Sequence, residues 1–187
     1  MIAILAAGIS SRFGGDKLLA PCAGRPLGQW ALDAALATGE QVVWIGSQPS
    51  MAIAEGRCPV LASPCSAQGI GASIAIAANH ACQTGASRLM ILLADMPLVD
   101  PELLSELLSA EPPAASLHAG DNPGVPAVFG PVDYPDLCAL DEDTGAARLL
   151  RGRNDLHLIP VAEAKLLDVD TPAELMRAEL ALRNRTV

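Results

Sequence analysis

The chain has 187 residues, 51% hydrophobic, 18% charged and only 3% aromatic, with 12 Lys and Arg against 21 Asp and Glu for a formal net charge of −9. That length suits one domain with a substantial core, built here from Ala, Leu, Val and Ile rather than from aromatic rings. The acidic balance excludes a protein that coats nucleic acid, which needs clustered cations, but not the binding of one nucleotide whose charge a bound cation opposes locally.

The opening Met1-Ile-Ala-Ile-Leu-Ala-Ala is apolar and short with no basic segment before it, and reads as a buried strand at 2–6 rather than a secretion signal. A helix at 26–37, a strand at 41–45 and a helix at 69–81 follow from their periods. The strand at 88–93 contains Leu89-Met-Ile-Leu-Leu, apolar without alternation, so both its faces are expected to be buried, as in a central parallel strand. Asp100-Pro101-Glu102 opens a helix at 101–109 with an N-cap, a Pro in the first turn and an early carboxylate. From Glu111 to Asp143, where Pro, Gly and acids gather, the periods weaken. Strands at 114–117 and 126–129 and a helix at 134–140 are predicted within loops and an inserted ribbon over one end of the sheet. A strand at 156–159 and a helix at 171–183 close the series, the helix announced by the capping-box spacing Thr171-Pro-Ala-Glu174.

This alternation predicts an α/β fold with a mainly parallel central sheet flanked by helices, in one domain over 1–187. No run nears the roughly 18 apolar residues that span a bilayer. The five cysteines are odd in number and widely spaced, with no Cys-x-x-Cys pair, as expected of reduced thiols in a cytoplasmic protein.

The loop after the first strand carries the most chemistry: Leu5-Ala6-Ala7-Gly8-Ile9-Ser10-Ser11-Arg12-Phe13-Gly14-Gly15-Asp16-Lys17. Small residues let backbone N–H groups approach phosphate oxygens without Cβ collisions. Arg12 can fork onto a phosphate, and Lys17 can place a compact charge on a pyrophosphate. The loop is neither G-x-x-x-x-G-K-[ST] nor G-x-G-x-x-G with an acid about 20 residues on. The plainer alternative is a Gly/Ser turn with two solvated cations.

Three further segments offer polar groups. Asp95 directly follows the apolar strand, at the carboxyl end where open α/β sheets bind ligands; a carboxylate there suits Mg²⁺, or else caps the turn before Pro97. In Asp168-Val169-Asp170 the two acids, two apart on an extended segment, face the same way. Either can complete a Mg²⁺ shell, or else Asp170 is only an N-cap neighbour of the last helix and Asp168 a solvated strand end. Ser63 to Ser73, with Gly69 and Gly71, leads into a helix whose start offers hydroxyls and N–H groups to a base edge or phosphate, or simply caps itself. His80, His118 and His157 have no Cys or Ser partner in the pattern and read as surface or partly packed residues.

Taken together these segments resemble the molybdenum-cofactor nucleotidyltransferases, the MobA-like NTP transferases within the larger sugar-nucleotide transferase-like fold. The first loop is similar to their L-A-x-G-x-S-x-R-x-G…K-L-L signature, and Asp168-Val-Asp-Thr-Pro-Ala-Glu to their D-x-D-T-P-E-D-like segment. Leu5-Ala6-Ala7-Gly8 and Gly69-Ile70-Gly71-Ala72-Ser73 look like the cytidylyl-transferring members rather than the guanylyl-transferring ones. Gly124-Val125-Pro126-Ala127-Val128-Phe129 is similar to the acceptor-side Gly-His-Pro-x-x-Phe, departing at Val125. Asp143-Thr-Gly-Ala-Ala-Arg148 matches Gly-Asp-x-Gly-Ala-Arg in part, with Glu142 in place of the first Gly.

The resemblance implies a Rossmann-like nucleotidyltransferase of the nucleotide-diphospho-sugar transferase type. It implies Leu5, Ala6, Ala7, Gly8, Ser10, Ser11, Arg12, Lys17, Ser63, Gly69, Gly71 and Ser73 around the nucleotide, with Arg12, Lys17 and Asp95 catalytic. Asp95 is then the principal metal ligand, joined by Asp168 or Asp170. Gly124, Pro126 and Arg148 face the acceptor, although Arg148 equally suits the decoration of a short helix. The implied reaction transfers CMP from CTP to the phosphate of molybdopterin with Mg²⁺ and releases pyrophosphate, and a molybdoenzyme receives the product. Kept beside it are use of GTP, a sugar or alditol phosphate as acceptor, and a non-catalytic accessory protein that carries the cofactor.

Overall fold

Every residue of β1 (Ile2–Ala6) is buried, because its unbroken apolar sequence can cover both faces of a sheet. A computed structural model describes residues 1–8, 13, 16–63, 69–141 and 145–185 of the chain. After β1 come a small hairpin of β2 (Pro21–Cys22) and β3 (Arg25–Pro26), α1 (Leu27–Ala37), β4 (Val42–Gly46) and β5 (Val60–Ala62). Then follow α2 (Gly69–Thr84), β6 (Leu89–Leu93), α3 (Pro101–Ser109), β7 (Ala114–His118) and β8 (Asn122–Phe129). The series ends with α4 (Tyr134–Cys138), α5 (Ala147–Leu150), β9 (His157–Pro160) and α6 (Pro172–Arg185).

Among the described residues seven strands form one sheet in the order β5-β4-β1-β6-β8-β7-β9. The pairs β5–β4, β4–β1, β1–β6 and β7–β9 are parallel, while β8 runs antiparallel to both its neighbours. Alternation along each strand divides the core. Ile2, Ile4, Trp44, Met90 and Leu92 meet α1 and α3 on one face, through Leu32, Leu103 and Leu107 among others. Ala3, Leu5, Ile45, Leu89, Ile91 and Phe129 meet α2 and α4 on the other, through Ile74, Ala77, Ala81 and Leu137. The Ala side of α2 lets that helix lie close on the sheet, which is how a core with few aromatics fills its space. A third cluster, with Cys22, Leu27, Leu98, Val169, Ala178 and Leu182, docks α6.

The predicted ribbon needs correction. Residues 122–129 do not lie over the end of the sheet but continue it edgewise, and the result is a mixed sheet. The strand is longer than the predicted 126–129 because a turn with Gly120 and Asp121 at φ +73° and +58° reverses the chain immediately before Asn122. Helix α1 starts one residue late, since Pro26 pairs with Pro21 instead, and α4 stops at Cys138 rather than at 140. Cys22, Cys58, Cys82 and Cys138 are free thiols. Among the described residues no helix is long and apolar enough to cross a membrane.

Candidate active site

The chain leaves β1 towards β4 by way of α1 on one face and reaches β6, on the other side of β1, from α2 on the opposite face. A crevice therefore opens at the carboxyl ends of β1 and β6, the switch point where such sheets take ligands. It contains a cavity of about 390 Å³ lined by Leu5, Ala7, Gly8, Lys17, Gly69, Ile70, Ser73, Leu93, Asp95, Asp168 and Asp170.

Four separate segments deliver these groups. Asp95 is set by the end of β6, where the Ala94 N–H donates to the Leu5 carbonyl at 3.0 Å. The segment before α6 is stapled to it: the Val169 N–H donates to the Asp95 carbonyl at 3.1 Å, and the Val169 side chain is fully buried. With Val169 turned inward, extended backbone turns Asp168 and Asp170 the other way. Helix α6 then begins on its capping box, in which Glu174 Oε2 accepts from the N–H groups of Asp170 and Thr171 at 2.9 and 2.8 Å. Asp16 caps the short 3-10 turn Lys17–Leu19, accepting from the Leu18 N–H at 3.2 Å, and so fixes Lys17 at its start.

Lys17 and the acids meet. Its Nζ lies 2.6 Å from Asp95 Oδ2 and 2.7 Å from Asp170 Oδ1. Asp95, Asp168 and Asp170 each bring a carboxylate oxygen within 4.8 Å of the others. Burial alone would lower the Lys17 pKa, but Asp95, Asp170 and Asp168 outweigh it and hold it above the ordinary 10.5. Asp168 is exposed as a residue, yet desolvation of its carboxyl group, followed by the charge of Asp95, pushes its pKa up to about 7 against the pull of Lys17. Asp95 Oδ1 is buried with no hydrogen-bond partner among the described residues. A buried carboxylate oxygen left over in a three-acid cluster could serve as a ligand atom for a hard divalent cation, whose opposite oxygen ligands sit about 4 Å apart.

The profile described as "MobA-like NTP transferase domain" matches residues 2–158. The chain belongs to that family. It is 30% identical to the purine catabolism protein PucB of Bacillus subtilis (strain 168), with 91% of each chain covered. Among solved structures it is similar to Rv0371c of Mycobacterium tuberculosis H37Rv, 26% identical over 96% of each chain with a TM-score of 0.83. The complex of Rv0371C with manganese is likewise similar, 23% identical over 96% of this chain and 97% of that one, with a TM-score of 0.80. A nucleotidyl transferase from Methanothermobacter shares the fold at 18% identity, covering 98% of this chain and 97% of its own, with a TM-score of 0.81.

Within this MobA-like frame the sequence-predicted residues fall into four groups. Leu5, Ala7, Gly8, Lys17, Gly69, Ser73, Asp95, Asp168 and Asp170 converge on the crevice. Ser63 stands behind them, its buried hydroxyl 2.9 Å from that of Ser73. Gly71 is buried in the first turn of α2, and the Ala6 carbonyl accepts from Ser50 Oγ at 3.0 Å, so both support the wall rather than face it. Ser10, Ser11 and Arg12 lie outside the described residues, as do Glu142, Asp143 and Thr144.

The acceptor-side residues are not in the crevice. Gly124 and Pro126 sit on β8, and Arg148 is exposed on α5. A second cavity, of about 880 Å³, adjoins the first through Asp168, which lines both; Arg148 lines neither. Other residues of these walls, Ile70 and His118 among them, were not assigned to the site from sequence. Ile70 lies one helical position past Gly69 and reads only as part of α2. His118, in the larger cavity, has no neighbour in sequence that marks it.

Proposed function

We propose that this chain is a Mg²⁺-dependent cytidylyltransferase that moves CMP from CTP onto the phosphate of a molybdopterin-type acceptor and releases pyrophosphate. The observation that carries the reading is the convergence of Asp95, Asp168, Asp170 and Lys17 in the crevice beyond β1 and β6. Asp95, with Asp168 or Asp170, would hold the metal ion. Bound there, Mg²⁺ supplies positive charge to the triphosphate and keeps its oxygens in place for displacement.

The chain's own residues do the rest by position and charge. Ala7 and Gly8 leave room for phosphates to approach the backbone. Lys17 carries an ammonium on a flexible stem, able to pass from the carboxylates to the departing pyrophosphate. Arg12 is assigned a second phosphate contact. The start of α2, from Gly69 to Ser73, receives the base, with Ser73 held by Ser63. The acceptor phosphate is ionised near neutral pH and attacks without a strong general base, so no histidine is required at the α-phosphorus.

The manganese complex of Rv0371C supports a divalent cation in this role. The likeness to PucB extends the proposal to a molybdoenzyme of purine catabolism as the recipient of the product, in the cytoplasm. The test is pyrophosphate release with Mg²⁺ from CTP, GTP, ATP and UTP, with and without molybdopterin, for the wild type and Asp95→Ala. Release that requires CTP and molybdopterin and disappears in the variant is expected. Release with a polyol phosphate instead would move the reading to another acceptor, and tight cofactor binding without release would make the protein a carrier.

A further inference from the structure

The larger cavity lies between the β7–β8 hairpin, the Glu163–Leu166 turn and α6. Its wall is organised by an irregularity in the sheet. Ala115 pairs with Ala127, but the next residue, Ser116, pairs with Gly124, so Val125 and Pro126 bulge out of the ladder. A bulge strands carbonyls that need donors. Side chains of β7 supply both: Ser116 Oγ donates to the Pro126 carbonyl at 3.1 Å, and His118 Nε2 lies 2.9 Å from the Val125 carbonyl. A carbonyl only accepts, so Nε2 carries the proton and a neutral His118 keeps Nδ1 as an acceptor. Among the described residues no hydrogen bond engages Nδ1.

The imidazole has little freedom. A Cβ on Gly124 would lie 2.5 Å from His118 Nε2, so this glycine is the seat of the ring. Beyond His118 the hairpin tip is pinned by Asn122 Nδ2, which donates to the carbonyls of Ala119 and Gly120 at 3.1 Å each. The bulge thus fixes the ring of His118, a residue that lines a cavity sharing Asp168 with the carboxylate cluster.

We propose that this cavity receives the body of the acceptor, and that His118 is a specificity-determining residue that accepts a hydrogen bond through Nδ1 from an N–H-rich heterocycle. This rests on the transferase reading above. A cavity of about 880 Å³ is at the upper end for small ligands, and a four-carbon polyol phosphate would leave most of it to water. Leu98, Leu117 and Leu167 give it apolar walls suited to the faces of a flat ring. Asp121 and Glu163, also on the wall, accept and do not donate, which suits ring N–H groups, while Arg177 on the same wall offers a cation to an anionic part of the acceptor.

The experiment is calorimetric titration of the Mg²⁺-loaded protein, holding a non-hydrolysable CTP analogue, with molybdopterin and separately with erythritol 4-phosphate. The wild type is expected to bind molybdopterin more tightly. His118→Ala should weaken that binding by about tenfold, the size of one lost hydrogen bond, while CTP-analogue affinity stays within about twofold. Gly124→Ala, which keeps the imidazole but drives it from its seat, should give the same loss. His118→Gln, which retains a donor for Val125 and an acceptor for the cavity, should restore much of it. In turnover the acceptor KM rises and kcat at saturation holds. Unchanged molybdopterin affinity in His118→Ala, a wild-type preference for erythritol 4-phosphate, or binding of neither would overturn the inference. A wild type that binds no CTP analogue brings down the transferase reading, and this inference with it.

Discussion

Replacing Lys17 with Met removes an ammonium that lies 2.6 and 2.7 Å from two carboxylates and leaves three acids facing one another. The Lys17 and Asp95 side chains are 9% and 17% exposed, whereas Asp170 is 46% exposed. Stripping the partner from a fully buried ion pair costs about 3–5 kcal/mol, and from a surface pair about 0–1 kcal/mol. The mixed burial here places the loss at about 2 kcal/mol in metal-free buffer. For a chain of this size that lowers Tm by roughly 4–8 °C. A divalent cation can take over the neutralising role, so Mn²⁺ should restore most of the loss in Lys17→Met, while the wild type gains less because Lys17 competes for the same oxygens. Differential scanning fluorimetry in EDTA and in Mn²⁺, at neutral pH, reads both effects. Equal Tm values for the two proteins in EDTA, or a deficit that Mn²⁺ leaves untouched, would refute the reasoning.

Other outcomes follow from single contacts. Asp95→Asn should eliminate Mn²⁺ binding in the presence of CTP, read by electron paramagnetic resonance, because the buried Oδ1 loses its charge; retained stoichiometric binding would place the metal elsewhere. Gly46→Ala should destabilise by about 1–3 kcal/mol in urea, since its Cβ would meet Ser50 Oγ at 2.8 Å and Trp44 Nε1 at 2.9 Å, both held in buried positions. An unchanged midpoint would show that the strand end yields. Asp100 caps α3 by accepting from the Leu103 N–H at 3.0 Å and pairs with Lys165. Burial works to raise its pKa, but Lys165 and Leu103 win and hold it below the ordinary 3.8. A lowered carboxyl stabilises the fold above its unfolded value and ceases to do so as pH falls through the lower, folded one. Asp100→Ala should therefore cost about 1 kcal/mol at neutral pH, with the gap closing only below the ordinary carboxylate range; a gap that persists in strong acid would mean lost packing instead.

Legibility in the sequence tracked local chemistry. The capping box of α6, the N-cap and Pro of α3, and the unbroken apolar β1 and β6 were readable because each is fixed by residues within one turn or strand. Asp95, Asp168 and Asp170 were readable for the same reason: strand ends and residue parity are local properties. Elements β2, β3, β5 and α5 are too short to show a period. The course of β8 was hidden by the Pro and Gly that its bulge accommodates, and composition there resembles a loop. His118 was passed over because its meaning depends on Gly124 across the sheet, a partner that only strand register supplies. Arg148, which its motif left between an acceptor contact and the surface of a short helix, is exposed on α5.

The hydrogen bond from Val169 to the Asp95 carbonyl has a temporal side. All seven strands of the sheet are synthesised before residue 161, and the family match ends at residue 158, yet two of the three clustered carboxylates come later. A nascent chain can thus complete its sheet while holding one of the three clustered carboxylates. The cluster closes only when the last helix docks and carries Asp168 and Asp170 against the end of β6. A chain cut short before residue 168 would keep every described strand of the sheet and lack two of the three clustered carboxylates.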